Sequence, residues 1–220
     1  MVHTRTPPSL KSTAVQVAAS LMANWGVMLN GIVLGFPSVL LPPLLGSGPG
    51  LHVTEVEASW VASITYLSAP MCCLLAGPTI DLLGRRWGLL LLNVTHSVGY
   101  LLMAVLSDSL LALYVGRLLS GAALGMASCI ASTYTAEIAT AALRTTLVTL
   151  TPVMMAAGIF LVYLWAALYQ ESWTEVSYFG FGLAVVSMVL TPLLPESPLW
   201  LLSRGRAEEA LQALTRLRGA

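Results

Sequence analysis

Residues 77–86 read Gly-Pro-Thr-Ile-Asp-Leu-Leu-Gly-Arg-Arg and carry three charges, Asp81, Arg85 and Arg86, between two long apolar runs. Charges this dense cannot sit in hydrocarbon, so the stretch must turn at a membrane face and each flanking run must be a span. Gly77 and Gly84 let the chain turn sharply. Asp81 can cap the N–H groups that open the next helix, or pair with an arginine across the turn. Composition fits a membrane chain: 9% of residues are charged and 57% hydrophobic, whereas a soluble domain holds roughly 25% charged residues.

Hydropathy and turn residues divide the chain into six spans, at roughly 15–41, 60–79, 87–106, 110–134, 147–169 and 176–194. The segments on one side hold Arg5, Lys11, Arg85, Arg86, Arg144, Arg204, Arg206, Arg216 and Arg218. The loops on the other side hold Glu55, Glu57, Asp108, Glu171 and Glu175, and no basic residue. By the positive-inside rule both termini are cytoplasmic. The expected fold is all-α, a polytopic bundle of six transmembrane helices with a C-terminal cytoplasmic amphipathic helix. Residues 1–14 form a cytoplasmic segment without a cleavable signal pattern, 15–194 the bundle, and 195–220 the start of a cytoplasmic helical region. The lipid bilayer is thus one partner. Formal net charge is zero, so no basic surface points to nucleic acid.

Polar residues inside spans are candidates for function. Asn24 and Asn30 in the first span should face protein or water, and an interhelical hydrogen bond would also account for each. Arg117 in the fourth span either faces the bundle interior or snorkels to the outer edge. Gly31-x3-Gly35 and Gly121-x3-Gly125 offer small faces for close helix contact. His96 reads as a hydrogen-bonded interior residue, and Asn93-Val94-Thr95 lies too deep in a span for glycosylation. Trp60 and Tyr66 read as interfacial aromatics. Cys72, Cys73 and Cys129 lie in apolar runs with no metal or redox spacing, and read as small buried hydrophobes. In the tail, Ala207, Ala210, Leu211, Leu214 and Leu217 mark one helix face, with acids at its start, arginines at its end and Gly219 after it. That helix can lie on the bilayer or cap the bundle.

The spacing Gly-x3-Asp-x2-Gly-Arg-Arg at 77–86 resembles the cytoplasmic signature between the second and third spans of major facilitator transporters, and its double arginine is most similar to the sugar porters. Further stretches agree: Gly116-Arg117 with Gly121-x3-Gly125, then Tyr134, Glu137-Ile138 and Arg144; Pro-Glu-Ser-Pro at 195–198 followed by Leu-Trp-Leu-Leu; and Ser-Arg-Gly-Arg-Ala-Glu-Glu-Ala at 203–210. The first span resembles insect members, including facilitated trehalose transporters. The resemblance runs over about 20–220 and implies the N-terminal six-span half of a twelve-span fold.

What the resemblance implies is facilitative hexose or trehalose uniport by alternating access, with a sugar as substrate. A complete pathway would need a C-terminal six-span half or a second copy. Asp81, Arg85, Arg86, Glu137, Arg144 and Glu196 would form a cytoplasmic gate cluster, each surface pair contributing about 0–1 kcal/mol. Candidates along the substrate pathway are Asn24, Asn30, Arg117, Pro152 and Tyr163. Pro152 stands where many sugar porters place a sugar-contacting Gln, and should kink the fifth span. Pro37 stands where proton-coupled members carry an Asp. Pro78, Thr145 and Leu199 depart from the pattern, Leu199 replacing an arginine. An alternative is a truncated, non-transporting membrane protein that associates with full-length transporters. The sequence shows no catalytic constellation, no cofactor motif and no metal spacing, so no enzyme activity is expected.

Overall fold

The structure, a computed structural model, describes residues 10–46, 50–168 and 173–218. Arg5, Glu171 and Gly219 lie outside the described residues. The helices are α1 (Leu10–Leu45), α2 (Glu55–Leu83), α3 (Arg85–Val105), α4 (Leu110–Ile138), α5 (Arg144–Val148), α6 (Leu150–Leu168), α7 (Trp173–Leu190), α8 (Pro198–Ser203) and α9 (Ala207–Arg218), with a 3₁₀ turn at Thr191–Leu193 before α8. Among the described residues, with α5 and α6 taken as one span, six helices are long and apolar enough to cross a membrane.

Local chemistry explains where the helices start. Thr54 and Glu57 form a capping box, so α2 begins earlier than hydropathy suggests. Glu55 and Glu57, expected in a loop, sit in its first turn, where acids suit the helix dipole. Ser109 caps α4, accepting from the Ala112 N–H at 3.4 Å. Ser197 caps α8, whose first residue is Pro198. The fifth span is interrupted at Thr149, between α5 and α6. Pro152 has no N–H for the Val148 carbonyl, so the break lies one turn before the proline.

α1 packs against α6, α4 and α7; α2 packs on α4; α3 fills the space between α4 and α7. Among the described residues two buried clusters form the core of the bundle, and a third, small one joins α8 to α9. The one nearer Leu45 includes Ile32, Phe36, Leu40, Tyr100 and Leu113, and the one nearer the arginine-rich end includes Ile80, Leu89, Leu92, Ile130 and Tyr134. The most apolar windows of the second and fifth spans are only 22% and 17% buried inside the protein. α2 and α6 are therefore the spans whose surface the rest of the protein covers least. Cys72, Cys73 and Cys129 are half-buried rather than buried, and Cys73 Sγ lies 3.8 Å from Cys129 Sγ.

α9 caps the bundle, packing on α8 and the start of α1. Its buried face is Ala210, Ala213 and Leu217, whereas Leu211 is 64% exposed and Ala207 is exposed. The expected face was thus partly misassigned. Ala210, Ala213 and Leu217 fall at i, i+3 and i+7 and form the buried stripe, and Leu211, about 100° round the helix from Ala210, is turned outward.

Candidate functional site

The charged turn is a joint between two helices. α2 ends at Leu83, Gly84 has φ 98° and ψ 164°, and α3 begins at Arg85. That backbone region is essentially open to glycine alone, and a Cβ there would lie 2.5 Å from Glu196 Oε2. α3 has no cap from its own N-cap side chain. Instead, the Glu196 carboxylate accepts from the Arg85 N–H at 2.9 Å and the Arg86 N–H at 3.1 Å. The unpaired amides and the helix dipole both favour an anion there. Tyr134 holds the segment that delivers Glu196, its hydroxyl donating to the Pro195 carbonyl at 2.8 Å. Asp81 lies in the last turn of α2 and takes the pairing alternative, with Oδ1 3.0 Å from Arg85 Nη1. Gly84→Ala is expected to cost about 1–3 kcal/mol through the backbone alone, and more because Glu196 must withdraw. A melting temperature equal to that of the parent chain in detergent would refute this.

Arg85 is the hub. Its Nε donates to both Glu137 oxygens, at 3.2 and 3.0 Å, and its Nη2 donates to Oε1 at 3.0 Å. Its Nη1 also donates to the Ile80 carbonyl at 3.1 Å. The Arg85 and Glu137 side chains are 13% and 14% exposed, against 72% for Asp81. The expectation of weak surface pairs therefore fits Asp81 and fails for Arg85–Glu137, which is bidentate and mostly desolvated.

Two residues outside the expected cluster complete the joint. Trp200 Nε1 donates to the Asp81 carbonyl at 3.0 Å, and Arg204 Nη2 donates to the Asp81 and Leu82 carbonyls at 2.5 and 3.2 Å. The Arg204 guanidinium stacks over the Trp200 ring at 5.4 Å. Cations suit a helix C-terminus, and here they satisfy carbonyls left open where α2 stops. Trp200 and Arg204 join Leu199, Asp81, Arg85 and Glu137 around a cavity of about 420 Å³. Arg204 thus supplies positive charge beside the exposed Leu199. The only sequence signal for these two was their place just after the Pro-Glu-Ser-Pro turn.

Arg86 and Arg144 stand apart. Arg86 meets Glu196 through its backbone, and it lines a second cavity, of about 460 Å³, with Trp87, Arg206 and Arg216. Arg144 donates to the Ala136 carbonyl at 3.1 Å and makes no ion pair among the described residues.

The interior candidates are mostly committed to the bundle itself. Asn24 is fully buried; its amide donates to the Ser20 carbonyl at 2.8 Å and to Thr135 Oγ1 at 3.0 Å, and its Oδ1 accepts from Thr151 at 2.8 Å. Asn30 Oδ1 lies 3.0 Å from His96 Nε2, both groups buried. Asn93 is buried and donates to Thr191 Oγ1 at 2.9 Å. Arg117 is fully buried and faces inward rather than snorkelling: Nε donates to the Val61 carbonyl at 3.3 Å and Nη1 to the Val33 carbonyl at 3.2 Å. Of the five pathway candidates, only Pro152 and Tyr163 are exposed, Tyr163 by 51%. Asn24, Asn30 and Arg117 are out of a solute's reach in this state. Among the described residues no group of three His, Cys, Asp or Glu side chains is placed to hold a metal.

Comparison with known proteins gives a consistent result. The profile of the family described as "Sugar (and other) transporter" matches residues 12–220. A facilitated trehalose transporter of Culex quinquefasciatus is 35% identical over 217 residues, covering 96% of this chain and 41% of that protein. The facilitated glucose transporter member 6 of solute carrier family 2 from Mus musculus is 35% identical over 213 residues, covering 96% and 42%. The fold matches the xylose transporter XylE from E. coli in a partially occluded inward-open conformation, with a TM-score of 0.78 at 22% identity, over 93% of this chain and 54% of that one. The chain spans less than half the length of the curated relatives it matches.

Proposed function

The chain belongs to the sugar transporter family, and from that premise we propose that it forms one six-helix half of a facilitative sugar transporter, moving a hexose or trehalose by alternating access. The observation that carries the reading is the joint around Arg85, where an ion pair to Glu137 and a carboxylate cap from Glu196 tie together the ends of α2, α3 and α4 and the segment before α8. Such a cluster is a two-position device: closed, it fixes four elements; open, each charge must find water or another partner. A ligand with different affinity for the two positions shifts the balance between them. The arginine-rich end is taken as cytoplasmic, both termini with it, and the membrane as the plasma membrane.

The uncovered faces of α2 and α6 are where a second six-helix half, or a second copy, would complete the pathway, and Tyr163 and Pro152 are exposed on α6. Saturable uptake of labelled glucose or trehalose into liposomes containing the purified chain is the expected result for a self-sufficient pathway. Uptake that appears only when a second six-span half is co-reconstituted would place the pathway between halves. Uptake absent in both cases would overturn the proposal and favour the associating, non-transporting reading.

A further inference from the structure

Pro37 lies inside α1. In an α-helix the Val33 carbonyl would accept from the backbone N–H at position 37, and proline has none. In a membrane interior a carbonyl without a donor is costly, because no water is there to replace it. The acceptor is met from another helix: Arg117 Nη1, on α4, donates to the Val33 carbonyl at 3.2 Å. The same guanidinium donates through Nε to the Val61 carbonyl of α2 at 3.3 Å and lies 5.7 Å from the Phe36 ring centre. The backbone of Arg117 is tied to α2 as well, its carbonyl accepting from Thr65 Oγ1 at 3.1 Å. No carboxylate is within ion-pair distance of Arg117 among the described residues.

We propose that Arg117 is a positioning residue that supplies from α4 the hydrogen bond Pro37 withholds from α1, and so holds residues 37–45 of α1 against α2 at the end of the bundle away from the Arg85 joint. In place of a carboxylate, two backbone carbonyls and an aromatic face hold the guanidinium through Nε and Nη1, while Nη2 has no hydrogen-bond partner among the described residues. Its consequence for transport, control of how far the outer part of α1 can swing, rests on the transport reading above.

The test is a rescue, with the full chain in nanodiscs and hydrogen–deuterium exchange read over residues 38–45. Arg117→Ala is expected to speed exchange there by about tenfold, as loss of a buried hydrogen bond implies. Adding Pro37→Ala should return most of the protection, because the new N–H at position 37 takes the Val33 carbonyl. Pro42→Ala in the same background should not, since its i−4 carbonyl is that of Ser38. The proposal is overturned if the Pro37 rescue fails, or if Pro42→Ala rescues equally. Where Arg117→Ala does not fold, recovery of folded protein by Pro37→Ala supports the proposal and no recovery overturns it. Sugar uptake is measured separately on the parent chain. Its absence both from the chain alone and with a co-reconstituted second six-span half would count against the transport reading and leave the exchange comparison to decide this one.

Discussion

Gly158→Leu is expected to destroy the bundle's packing, lowering stability by about 3 kcal/mol or more. Gly158 of α6 lies directly against α1. A Cβ added there would overlap the Met28 carbonyl and come within 3.0 Å of the Gly31 Cα. On the facing side, a Cβ at Gly31 would overlap the Met155 carbonyl and lie 2.8 Å from the Gly158 Cα. The obstacle in both directions is helix backbone, which cannot turn aside as a flexible side chain can. The two helices would have to separate along their contact, because without a hydrophobic drive between helices in lipid, close packing is what holds them. Gly182→Leu on α7 is the matched control, since nothing lies within 4 Å of its Cβ position. Thermal unfolding of the detergent-solubilised chain, followed by loss of the monodisperse peak, measures both. If Gly158→Leu melted with Gly182→Leu and the parent, the close approach of α1 and α6 would be wrong.

The second large effect is expected in rate rather than affinity. Arg85→Ala leaves the Glu137 carboxylate, 14% exposed, without its bidentate partner. Breaking a fully buried pair costs roughly 3–5 kcal/mol, and an exposed pair contributes about 0–1 kcal/mol. For this partly buried pair about 2 kcal/mol is reasonable, which shifts a two-state balance by roughly thirtyfold. If the joint holds one of the two transport positions, turnover should fall by about tenfold while the half-saturating sugar concentration moves by less than about threefold. Glu137→Ala should behave alike. Asp81→Asn should change turnover by less than about twofold, because its carboxylate is 72% exposed. Initial rates across a range of sugar concentrations separate these parameters. A raised half-saturation value with turnover intact would place Arg85 in the binding of sugar and remove the gate reading.

Much of this was written locally. Charge density at 77–86 forced a turn, the acid–base asymmetry ordered the six spans, and the Gly-x3-Gly pairs marked helix faces. The start of α2 was read too late: hydropathy placed it at residue 60, and the Thr54-x-x-Glu57 capping box that starts the helix at Glu55 went unread. Arg85, Glu137 and Glu196 were legible as a set, through their resemblance to a known pattern.

What no local signal could give was the pairing between distant segments. Glu196 reaches the first amides of α3 across 110 residues. Arg117 answers a proline on another helix. Gly31 meets Gly158, and Ala213 rather than Leu211 packs with Leu201 of α8. The reason is physical: lipid and a neighbouring helix are equally apolar, so hydropathy sets which residues leave water and is silent on which of them touch. The sequence by itself determined how many long apolar spans the chain holds and where its charges collect. Only the tertiary structure decided which carbonyls and amides those charges satisfy, because a buried polar group takes whichever partner packing brings within about 3 Å.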